Sequence, residues 1–168
     1  MPRRKTRTSG ILEWSFGSIT TTDATVTNAS IDLDLLPDEI AEIWHINSMI
    51  DVGMVAGSDD TVECCMMLSM DPNVSADPST VTNHDDLEVF YEHRWSIQKD
   101  LETSGMESHR CSDDKFVTFN VKPILVGTNV GMVVKGDGDL GTVFYVRLYF
   151  TRRRATASEL NQILLKRR

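Results

Sequence analysis

The chain has 168 residues, 40% of them hydrophobic and 25% charged, with a formal net charge of −8. That length suits one domain with a sizeable core, and the apolar content is enough to fold, so disorder is not the default. No apolar run reaches the roughly 18 to 20 residues of a membrane helix, and no apolar h-region follows the basic start, so neither a membrane span nor a secretory leader is expected.

The charge is unevenly distributed. Arg3, Arg4, Lys5 and Arg7 crowd the start, and Arg152, Arg153, Arg154, Lys166, Arg167 and Arg168 crowd the end. The stretch from Thr8 to Thr151 keeps seven basic residues against 24 acidic ones, a net of −17. An acidic body therefore carries two cationic ends. Such ends are attracted to polyanions such as nucleic acid, or to the acidic body of a neighbouring copy. Cys64, Cys65 and Cys111 form an odd set without C-x-x-C spacing, which argues against a disulfide framework and a zinc site. Buried free thiols are expected, with Cys64 and Cys65 on opposite faces of a strand.

Strand signals recur along the chain, separated by turn residues. Ile11 to Gly17 is the first. Val26 to Leu36 follows, with Ile31, Leu33 and Leu35 alternating against Asp32 and Asp34. Glu39 to Glu42 could hold one helical turn. Beyond it, strict alternation places Trp44, Ile46, Ile50, Val52 and Met54 on one face. Val62 to Met70 is next, with Val62, Cys64, Met66, Leu68 and Met70 sharing a face. Asp71 to Asp86 reads as a long surface loop. Leu87 to Ile97 alternates Val89, Tyr91, His93, Trp95 and Ile97 against Glu88, Phe90, Glu92 and Arg94, and Lys99 to Asp114 is loop-like. Phe116 to Leu125, Val130 to Lys135 and Thr142 to Thr151 complete about eight strands. The one helix signal is terminal: Thr156-Ala157-Ser158-Glu159 matches a capping box ahead of an apolar stripe of Leu160, Ile163 and Leu164.

This pattern predicts an all-β fold, an eight-stranded jelly-roll-type β-sandwich with a short C-terminal helix. Residues 1–9 form a basic arm, 10–151 the sandwich, and 152–168 a basic tail with the helix. The four histidines show no H-x-H or H-E-x-x-H spacing, and no nucleophile elbow, Walker loop or dinucleotide fingerprint occurs, so no enzyme is expected. A half-buried structural role suits His93. Aspartate pairs fall in predicted loops, and Asp59, Asp60, Asp137 and Asp139 are the candidate calcium ligands, set against plain solvated turn charges.

The basic start MPRRKTR, the run of strands with long loops, and the closing strand GTVFYVRLYFTRRR together resemble a single jelly-roll viral capsid (coat) protein. The resemblance implies a structural subunit located in the virion, otherwise cytoplasmic. It would assemble with copies of itself and contact genomic nucleic acid without sequence specificity or neighbouring subunits through the ten terminal cations. It involves no membrane, and Leu160, Ile163 and Leu164 would form an apolar inter-subunit contact. The alternative is a carbohydrate-binding β-sandwich with a platform among Trp14, Trp44 and Trp95. A cupin-like enzyme is a third reading, disfavoured by the missing histidine-glutamate cluster.

Overall fold

The computed structural model describes residues 9–22, 24–53, 61–80, 88–98, 110–120, 123–136 and 141–165. Among these residues, nine strands and one helix run in the order β1 (Ser9–Thr21), β2 (Val26–Asp32), β3 (Glu39–Gly53), β4 (Thr61–Ser69), β5 (Val89–Gln98), β6 (Arg110–Thr118), β7 (Ile124–Val126), β8 (Asn129–Lys135), β9 (Thr142–Arg154) and α1 (Ala157–Leu165).

The pairing is that of one long antiparallel hairpin rolled on itself. With the three-residue β7 set aside, β1 pairs with β9, β2 with β8, β3 with β6, and β4 with β5. Rolling then adds β3 against β9 and β4 against β8. One sheet reads β1-β9-β3-β6 and the other β2-β8-β4-β5. This is the jelly-roll order. Short β7 continues the β6 edge, pairing with Ala41–Ile43 of β3 below the stretch that β6 covers.

The core lies between the sheets. Ile46, Ile50, Phe144, Val146, Leu148 and Phe150 from the first sheet meet Ile31, Cys64, Met66, Leu68, Trp95, Met132 and Val134 from the second. Within it, the Ser48 and Tyr91 hydroxyls lie 2.5 Å apart, and His93 Nδ1 sits 3.3 Å from Ser48. The half-buried His93 is thus a hydrogen-bonded structural side chain stacked near Trp95. Cys64 and Cys65 are buried thiols outside any disulfide, and Cys64 faces the core while Cys65 faces the other way, as alternation requires.

Three local expectations give way to tertiary context. The segment Glu39 to Glu42 is the start of β3 and not a helical turn. Its backbone is paired on both sides, by β7 and by the end of β9, so no local helical bonds are needed. In the same strand, the register against β9 shifts between Ile43 and His45. Buried positions change parity there, from Ala41 and Ile43 to Ile46, Ser48, Ile50 and Val52. The bulge turns Trp44 away from the face it was expected to share with Ile46. Finally, β6 begins at Arg110, inside a stretch whose polarity reads as loop, because an edge strand needs only backbone pairing to β3.

The segment 70–80 does not simply run over the surface. Val74 packs with Met67 and Val133 on the outer side of the second sheet. Asn28 Nδ2 donates to the Val74 carbonyl at 3.3 Å, and Lys135 Nζ reaches Asp77 at 2.6 Å and Ser79 Oγ at 3.0 Å. The lysine and Ser79 hold the Asp77 carboxyl down to about 2. Gly131 makes this close approach feasible: a Cβ there would stand 2.2 Å from the Asp71 carbonyl oxygen, which is backbone and cannot rotate away. Gly131→Ala should therefore lower stability by about 1–3 kcal/mol in a denaturant melt. Gly141→Ala, whose Cβ meets no described atom within 4 Å, should leave the melt unchanged.

Candidate functional site

The basic residues that close β9 are held by carboxylates of the same chain. Arg152 pairs with Glu13 of β1 and donates to the Asp34 carbonyl at 3.0 Å. Asp34 itself sits in the left-handed region (φ 51°) after an Asx turn on Asp32, which aims that carbonyl. Arg153 donates through Nε to Glu42 at 2.6 Å and through both terminal nitrogens to Glu159 at 2.6 and 3.0 Å. Arg154 reaches Asp38 at 3.2 Å. The strand runs to Arg154, three residues beyond the Thr151 limit read from sequence, because Arg152, Arg153 and Arg154 pair through the backbone with Ala41, Ile40 and Glu39 of β3.

The Arg153 cluster also fastens α1. Glu159 accepts from the Thr156 amide at 2.8 Å, and the Glu159 amide donates to Thr156 Oγ1 at 3.3 Å, the reciprocal capping box read from sequence. On the other side, Trp44 Nε1 donates to Thr151 Oγ1 at 3.1 Å and Thr151 donates to Glu42 at 3.2 Å. One chain of hydrogen bonds thus runs from β3 through β9 to the helix. Leu160 is half-buried; the side chains of Ile163 and Leu164 lie outside the described residues, as do Arg3, Arg4, Lys5, Arg7, Lys166, Arg167, Arg168, Asp59, Asp60, Asp137 and Asp139.

A second feature is an aromatic grid on the outer face of the first sheet. Cross-strand pairing aligns Trp14, Tyr149, His45 and Thr118 in one row, and Phe16, Arg147, Asn47 and Phe116 in the next. A third row holds Ser18, Tyr145, Met49 and Asp114. Trp14 is 61% exposed, Phe116 55% and Phe16 48%. Phe16 stacks on Tyr145, His45 on Phe116, and the Arg147 guanidinium lies 5.1 Å from the Trp14 ring centre. The signal for this face was present in the sequence: Tyr145, Arg147 and Tyr149 alternate with the apolar core positions of β9. A strand with side chains of that size on both faces reads as one apolar run.

Other chemistry is weaker. A cavity of about 450 Å³ beside the second sheet is lined by Cys65, Ser79, Arg94 and Lys135, among others. Its cations are already paired, Arg94 with Glu92 and Lys135 with Asp77. Burial pushes the Cys65 thiol up to about 11, so it is not a thiolate nucleophile. The three tryptophans do not make one platform: Trp95 is 3% exposed in the core, Trp44 is half-buried and bonded to Thr151, and Trp14 is exposed beneath the Arg147 guanidinium. Among the described residues there is no cluster of metal-ligating side chains, and no helix is long and apolar enough to cross a membrane.

The helix fastening carries its own pH dependence. Arg153 first, then Thr156, holds the Glu159 carboxyl at about 2, below its ordinary 4.5. A carboxylate with a depressed value in the folded state contributes its full share above 4.5 and loses it as pH falls through 2. Amide-exchange protection at residues 157–162, corrected for intrinsic rates, should hold at pH 4 and fall towards pH 2. In Arg153→Gln the fall should move up towards 4.5.

No protein-family model matches this chain, and no curated protein matches it. Among solved structures, it is similar to a chain in the cryo-EM structure of the semi-empty virus-like particle of giant freshwater prawn Macrobrachium rosenbergii nodavirus, with 12% identity and a TM-score of 0.28 over 88% of this chain and 97% of that one. At that TM-score the likeness carries no argument, and the jelly-roll assignment stands on the strand order of this chain.

Proposed function

We propose that the chain is a structural shell subunit, a capsid (coat) protein that assembles with copies of itself through its jelly-roll domain. The observation that carries this reading is the aromatic face of the first sheet, which no other segment covers among the described residues. Its rows are rich in tryptophan, tyrosine, phenylalanine, methionine and arginine, the side chains enriched at the cores of protein interfaces. A protein that stays alone gains nothing from an exposed patch of that kind. The glycan-binding alternative places a platform among Trp14, Trp44 and Trp95; the burial of Trp95 and the bond of Trp44 to Thr151 favour the shell reading over it.

The charge pattern fits the same role. Arg152, Arg153 and Arg154 are engaged within the subunit, so contact with encapsidated nucleic acid falls to Arg3, Arg4, Lys5 and Arg7 ahead of β1 and to Lys166, Arg167 and Arg168 after α1. Seven charges per copy bind weakly alone and strongly when many copies face one compartment. The stripe of Leu160, Ile163 and Leu164 is assigned to a neighbouring subunit.

Negative-stain microscopy and light scattering of the purified protein should show closed or tubular particles of many copies. Monomer alone, across a range of salt, overturns the reading. Deleting residues 1–7 should preserve folding and particles, lower the nucleic acid they carry, and flatten its salt dependence.

A further inference from the structure

The two outer sheet faces of this molecule are finished differently. The outer side of the β2-β8-β4-β5 sheet is closed by the chain itself, with Val74 seated on Met67 and Val133 and the loop pinned by Lys135 and Gly131. Among the described residues, nothing comparable covers the β1-β9-β3-β6 face, where Trp14, Phe16 and Phe116 remain about half exposed or more. We propose that this aromatic face is the primary contact between copies, and that two copies meet face to face across a two-fold axis running along the strands. The inference rests on the self-assembly reading and names the surface that performs it.

The layout of the face suits that symmetry. Such an axis reverses strand order, setting β1 of each copy over β6 of the other and β9 over β3. Trp14 and Phe16, at one margin of the grid, then meet Phe116 at the other margin of the second copy. The charges complement one another in the same arrangement. Arg147 on β9 and Asp114 on β6 are both exposed, of opposite sign, and without a charged partner among the described residues. They stand on adjacent rows, so each Arg147 faces β3 of the second copy, next to its Asp114. Within one subunit one strand separates them, since β3 lies between β9 and β6. The size is also adequate. Four strands at about 4.8 Å and four rows at about 6.8 Å, the three of the grid and the next row of Thr20, Val143, Asp51 and Ser112, give a projected face of roughly 500 Å². With upstanding side chains its accessible area approaches the ~800 Å² per partner of a stable interface.

Sedimentation of the full chain and its variants tests this. Phe116→Glu and Trp14→Glu should each weaken association about tenfold or more while leaving the melting temperature unchanged, since both side chains are exposed. Arg147→Asp and Asp114→Arg should each weaken it, and the double reversal should restore it to within about threefold of the wild type. Wild-type particles that form equally well in all four single variants would overturn this inference and leave the shell reading intact. A species that stops at two copies and is lost in Phe116→Glu would uphold the face and overturn the shell. A nucleic-acid platform would show the opposite charge pattern: Arg147→Asp weakening association, Asp114→Arg strengthening it, no rescue in the double variant, and loss on nuclease treatment. That result, or a wild type that is monomeric throughout, overturns the proposal.

Discussion

The pairing of β9 with both β1 and β3 is the interaction on which the rest of the molecule depends. The last strand enters the middle of the first sheet, in register with residues from the very start of the chain: Trp14 lies opposite Tyr149, and Ile19 opposite Phe144. Its inward side chains Phe144, Val146, Leu148 and Phe150 occupy the centre of the core. With Ile43, Ile46, Ile50 and Val52 of the adjacent β3 they form the apolar surface against which the second sheet closes. Burying those four residues, at about 1.5–3 kcal/mol each, is one of the larger single contributions to the fold.

Everything notable in the molecule radiates from this strand. Its inner face makes the sandwich, its outer face carries Tyr145, Arg147 and Tyr149, and its end carries the three arginines. Those arginines turn an abrupt local excess of positive charge into a set of contacts with Glu13, Glu42, Asp38 and Glu159. Exposed ion pairs contribute little individually. Here they act as a network: Arg153 bridges two carboxylates, and one of these also caps α1. The practical consequence is positional, for the helix leaves the body at a defined corner of the first sheet.

The contrast between the outer faces follows from how each sheet handles its alternate side chains. In β4 both sets are apolar, Cys64, Met66 and Leu68 inward and Met67 outward, so the second sheet needs a lid and obtains one from the segment around Val74. In β9 both sets are also large, but the outward ones are amphipathic. Tyrosine and arginine tolerate water while presenting apolar area. That combination can wait uncovered until a partner arrives.

The local elements were legible because they obey local rules. Period-two alternation located β2, β4, β5, β8 and β9 to within a few residues, the capping box located α1, and the run of strands without intervening helices predicted the all-β sandwich that the structure shows. The sequence also determined Tyr91, His93 and Trp95 as inward residues of β5, where alternation is unbroken, but not Val89, which a register shift between Leu68 and Ser69 turns to the outer cluster with Met67 and Val74 while Phe90 packs against the core. Only the tertiary structure decided the orientation of Trp44, because a bulge arises from pairing with β9 and leaves no mark in β3 itself. The same holds for Glu39 to Glu42, whose fate as strand depends on neighbours on both sides, and for polar β6, which is a strand by backbone pairing alone. The arginines read as a free tail, yet they are anchored by Glu13, Glu42 and Asp38, residues more than a hundred positions away. Side-chain periodicity is set by the chain's own geometry, whereas register, lids and ion pairs are set by whatever surface folding brings alongside, and that surface is remote in sequence.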